Sequence, residues 1–125
     1  MTEAYDLFQR GREHLQRGMA AQATVALEKA KKLEPGKASI REALGIAYFR
    51  IQRWSEAEAE FRVVLELSPT DDYAHYALGR TLEKLGRDAE ANGHYKLASS
   101  MSPGTERYAD RIMDLEPPAA DDSDA

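Results

Sequence analysis

No cysteine occurs among the 125 residues, which excludes disulfides, thiolate nucleophiles and cysteine-bound metals. Long apolar runs are also missing. The opening MTEAYDLFQR is charged, so neither a signal peptide nor a membrane span is readable, and a cytoplasmic protein is expected. No glycine-rich phosphate loop, nucleophile elbow or zincin motif occurs. The three histidines, His14, His75 and His94, have no i, i+4 spacing and no regular carboxylate beside them. They are expected to pack or to face solvent, with no metal site, cofactor or catalytic role. The chain therefore reads as a non-enzyme.

Excess charge is absent from most of the chain. Residues 1–37 carry seven basic and five acidic side chains, residues 38–71 four and six, and residues 72–105 four and four. The net charge of -5 thus arises in residues 106–125, where Arg107 and Arg111 face seven carboxylates. A neutral body with scattered arginines lacks the positive field of a nucleic-acid binder, so no nucleic-acid partner is expected. The acidic end, Pro117 to Ala125, has almost nothing to bury and is expected to be a disordered tail over residues 116–125. As an acidic peptide within reach, it is also a candidate competitor for any cationic groove on the body.

What is present is a period of 34. Gly11, Gly45 and Gly79 form one series, Ala23, Ala57 and Ala91 a second, and Pro35, Pro69 and Pro103 a third. The middle unit adds Leu44, Tyr48, Phe61 and Val64; the third adds Leu78, Tyr95 and Ala98. This combination resembles the tetratricopeptide-repeat (TPR) family over nearly the whole length. The first unit is the most divergent, with Leu7, Arg10 and His14 at three motif positions. The resemblance implies an all-α, right-handed superhelical array of three helix-turn-helix pairs, with units at about 4–37, 38–71 and 72–105.

Local signals agree with that expectation. Leu7, Arg10, Gly11 and His14 share one helix face, and Gly18 ends the helix before Ala20 to Leu33 returns. Ser55 with Glu58 reads as a capping box for the fourth helix, and Asp71 or Asp72 as a cap for the fifth. Trp54 is expected to cover a turn. Asn92-Gly93 suggests a hairpin by itself, but the repeat register places it inside the sixth helix. Tyr108, Ile112 and Leu115 lie at helical spacing and predict a short capping helix over about 105–115, closing a domain of residues 1–115.

If one face of each first helix packs, the opposite face is free to bind. The resemblance implies that it lines a concave groove. The candidate groove residues are Tyr5, Phe8, Arg12, Ile46, Phe49, Arg50, Tyr73, Tyr76, Arg80 and Lys84. Rings and cations together suit a peptide that mixes apolar side chains with carboxylates. The function expected is a non-catalytic adaptor or scaffold for a protein or peptide segment. A self-assembling module, or a regulatory subunit of a larger complex, is the alternative. The family's carboxylate clamp for chaperone tails would fall on Phe8, Arg12, Ala43, Tyr73 and Ala77, of which only Arg12 could serve.

Overall fold

Each 34-residue unit becomes two antiparallel helices because its apolar residues recur at helical spacing and its glycine and alanine series sit where the helices touch. The computed structural model describes residues 2–115. Among them run α1 (Glu3–Gln16), α2 (Ala20–Leu33), α3 (Ala38–Arg50), α4 (Trp54–Leu67), α5 (Asp72–Lys84), α6 (Asp88–Met101) and α7 (Glu106–Asp110). Each packs against the helix before and the helix after it, and α1, α3 and α5 also touch in succession.

The turn inside each unit is one motif used three times. The N–H of Met19, Arg53 and Arg87 donates to the carbonyl of His14, Tyr48 and Leu82 at 2.7, 2.9 and 2.9 Å. This six-residue closure requires a left-handed residue just before it. Gly18 (φ 74°), Gln52 (φ 65°) and Gly86 (φ 78°) fill that position. The next helix follows at once, so the expected Ser55 cap does not form. Trp54 already begins α4, Arg53 stands at the cap, and no side chain bonds there. Asp71 does cap α5, with Oδ1 accepting from the Ala74 N–H at 3.0 Å.

Close approach within each pair depends on the glycine series. A Cβ at Gly11, Gly45 or Gly79 would fall 2.5, 2.7 and 2.6 Å from Leu27, Phe61 and Tyr95. Ala23, Ala57 and Ala91 are completely buried beside them. Between pairs, polar links set the spacing. Buried Glu60 of α4 accepts from Lys31 Nζ of the first pair at 2.8 Å, and from Arg41 Nη1 of its own pair at 3.0 Å, while Tyr48 Oη donates to Glu28 of the first pair at 2.7 Å.

Asn92 and Gly93 lie within α6, and Asn92 has a structural task. Its amide donates to the Met113 carbonyl at 3.0 Å, and its Oδ1 accepts the Met113 N–H at 2.7 Å. Those bonds compete with helical ones, so the last helix is shorter than the 105–115 span expected and stops at Asp110. Tyr108 is buried, and Ile112 and Met113 pack against the core as irregular chain. The tail expected to be disordered lies outside the described residues.

Candidate functional site

The first helices of the three units, α1, α3 and α5, form one wall along which two hollows adjoin. One, of about 310 Å³, is lined by Ile46, Phe49, Arg50, Tyr73, Tyr76 and Arg80, with Phe61 and Ala77 at its floor. The other, of about 400 Å³, includes Phe8, Arg12, Ser39, Glu42, Ile46 and Arg50. Ile46 and Arg50 belong to both. Eight of the ten predicted groove residues therefore meet along one continuous surface.

The cations there are held over rings. Arg12 lies 5.6 Å from the Phe8 centroid and Arg80 5.2 Å from that of Phe49. Arg50 is anchored differently, donating from Nη1 to the Leu15 carbonyl at 2.8 Å across the junction of the first two units. Among the described residues, the Arg80 Nε is buried and has no acceptor. A buried guanidinium N–H without a partner is costly, and the Arg80 side chain also borders the first hollow.

The two remaining candidates lie elsewhere. Exposed Tyr5 accepts from Gln9 Nε2 at 2.7 Å, and Lys84 sits 5.7 Å from the Trp54 ring centroid, both outside the two hollows. Tyr76 borders the first hollow but is itself 9% exposed, tilted against Tyr95 and Tyr108. A cation absent from the sequence-based set joins them: Arg107 of α7 lies 5.7 and 5.2 Å from the Tyr73 and Tyr76 rings. The register was the available signal, since Arg107 follows Tyr73 by one period.

Glu42 is the acidic member of this wall. Burial, then a hydrogen bond with Asp71 and the charges of Asp71 and Asp72, push its carboxyl up from 4.5 to about 8. Burial also raises the neighbouring Tyr73 hydroxyl, assisted by Glu42. Below neutral pH the wall therefore presents a neutral carboxyl among cations.

Of the three histidines expected to pack or to face solvent, two pack against each other. His75 and His94 stack with ring centroids 5.3 Å apart, and their Nδ1 atoms are 3.1 Å apart. Their separation of 19 residues carries them from α5 to α6, which spacing rules for a single helix do not test. Among the described residues no cluster of three or more metal-ligating side chains occurs, and no helix is long and apolar enough to cross a membrane.

No family model and no curated protein matches the sequence. Solved structures do match. The crystal structure of MamA superimposes with a TM-score of 0.85 at 25% identity, covering 87% of this chain and 64% of MamA. The first TPR domain of Spaghetti (RPAP3), bound to the HSP90 peptide SRMEEVD, gives 0.84 at 19% identity, covering 88% and 87%. The chain has the fold of a tetratricopeptide-repeat array. A third TPR protein, YrrB, described as having an unusual peptide-binding site, gives 0.83 at 19% identity over 88% of this chain and 57% of its own. The chain thus spans less than two thirds of MamA and of YrrB, and 87% of the RPAP3 domain.

Proposed function

We propose that this TPR array is a non-catalytic, cytoplasmic adaptor whose groove holds an extended protein segment carrying apolar and acidic side chains. One observation carries the reading: an aromatic-walled hollow of about 310 Å³ is bordered by two guanidinium side chains, Arg50 and Arg80. An apolar side chain would enter between Ile46, Phe49 and Tyr73, and a carboxylate would meet Arg80, with Arg12 and Arg50 continuing the cationic line. Solved TPR relatives holding HSP90 and HSP70 peptides support peptide capture as the mode. The clamp positions Phe8, Ala43, Tyr73 and Ala77 favour a segment gripped along its length over a terminal carboxylate gripped by its end.

The test is fluorescence anisotropy with a labelled peptide mixing Asp and Glu with Leu and Phe, against a control with Ser and Lys at the acidic positions. Binding of the first alone, weakened at least tenfold by Arg80→Ala and at least a hundredfold by the Arg12, Arg50, Arg80 triple alanine variant, is expected at about 1.5–3 kcal/mol per charged contact. Equal affinity of wild type and triple variant removes the groove reading.

Self-assembly draws on a different observation. The free face of the first unit holds a hollow of about 280 Å³ lined by Leu7, Val25 and Ala26, with Arg10, His14 and Lys29 around it. Light scattering over a dilution series decides this reading, because a monomer at every concentration excludes it.

A further inference from the structure

The second and third units solve one packing problem with different chemistry. Shifted by 34 residues, Pro35, Arg41 and Glu60 become Pro69, His75 and His94. Arg41 Nε donates to the Pro35 carbonyl at 2.9 Å, and its Nη1 reaches Glu60 at 3.0 Å. In the third unit His75 Nε2 lies 3.0 Å from the Pro69 carbonyl, and its Nδ1 lies 3.1 Å from His94 Nδ1. The chain of contacts is retained while the opposite charges are gone.

The positions of the protons follow from the partners. A carbonyl only accepts, so His75 Nε2 carries the hydrogen; in the neutral ring its Nδ1 then accepts, and His94 Nδ1 donates. One hydrogen occupies the space between the two rings. If both rings are charged, two N–H donors face each other across that 3.1 Å. The neighbours do not offset this repulsion. From α4, Arg62 acts on His94 with like charge; on α6, Glu90 opposes it but is already bound by Arg62 and Arg87. Glu58 is bound by the same two arginines.

We propose that His75 and His94 form an acid-sensitive latch between α5 and α6, closed while the pair shares one hydrogen and released when both rings are charged, so that the third unit opens before the first two. The electrostatics have the required sign. Burial first, then His75 and Arg62, hold His94 below its ordinary value of 6.5. For a base depressed in the folded state, the unfolded chain binds more protons within that window. The contribution is therefore complete above about pH 6.5 and is lost as pH falls through the lower folded value. Release would also loosen the Tyr73, Tyr76 and Arg80 side of the groove; that consequence alone rests on the peptide-binding reading.

Amide hydrogen exchange on the whole chain tests the latch without any peptide, so its failure is separate from failure of the groove reading. After correction for intrinsic rates, protection in α5 and α6 is expected to fall about tenfold more than in α1 to α3 between about pH 7 and about pH 5. The double variant His75→Arg, His94→Glu, which installs the second unit's pair, is expected to abolish that difference. A uniform change along the array overturns the latch, as does the same local loss in the double variant. If the double variant does not fold, the comparison of α5 and α6 with α1 to α3 in the wild type decides alone.

Discussion

Gly45 and Phe61 occupy a space that has no room for one more carbon: a Cβ on Gly45 would lie 2.7 Å from the Phe61 ring, which is itself almost fully buried. Alanine is the better helix former by about 1 kcal/mol, yet overpacking costs about 1–3 kcal/mol, so Gly45→Ala is expected to destabilise the array. Gly93 lies inside α6, where an added Cβ would meet nothing within 4 Å and the backbone is not left-handed. Gly93→Ala is expected to stabilise by about 0.5–1 kcal/mol. Urea unfolding of both variants checks the opposite signs.

Among the described residues, Gln52 is the one side chain placed in the left-handed turn that glycine fills at positions 18 and 86. A left-handed conformation costs an ordinary residue about 1 kcal/mol, which here outweighs the entropy glycine loses on folding. Gln52→Gly is expected to raise stability by up to about 1 kcal/mol, and Gly18→Ala to lower it by a similar amount. Thermal unfolding midpoints moving the other way would locate the strain elsewhere.

Glu60 holds two cations while only 6% of its side chain is exposed, with Lys31 and Arg41 at 30% and 17%. Glu60→Ala leaves both cations without a carboxylate and is expected to cost about 3 kcal/mol, the low end for a broken buried pair because Lys31 reaches water and Arg41 keeps the Pro35 carbonyl. Arg87→Ala removes bonds at a site 43% exposed and is expected to cost less than about 1 kcal/mol. Chemical denaturation of the two variants measures the contrast.

Glu42 predicts a loss of stability in alkali. Its carboxyl is raised in the folded state, to about 8 from 4.5. Between those values the folded chain binds more protons than the unfolded one, so the contribution is fully present below about 4.5 and is lost as pH rises through about 8. The urea midpoint is expected to fall between about pH 6 and about pH 9, and Glu42→Gln to flatten that fall. A midpoint that is unchanged over the range in the wild type would contradict the burial of this group.

The helices, their order and the pairing within units were legible from the sequence because they depend on local periodicity. Glycine, alanine and proline series spaced by 34 reflect a backbone constraint repeated three times, and a repeat packs only against its neighbours. The register also settled Asn92-Gly93 as helical against its turn propensity. It did not foresee the missing Ser55 cap, because the six-residue turn closure starts α4 at Trp54 and puts Arg53 at the cap position. Nor did it foresee the early end of α7, which depends on Asn92 bonding Met113 across 21 residues.

For the groove, sequence alone determined which residues share the face of each first helix, since that follows from 100° per residue. Only the tertiary structure decided which of them border common space: Phe8, Arg12, Ile46, Phe49, Arg50, Tyr73, Tyr76 and Arg80 do, whereas Tyr5 and Lys84 do not. It also decided that Arg107 joins the aromatic wall and that His75 meets His94. These are contacts between helices, set by how closely their backbones approach, and no periodicity within one helix encodes that distance.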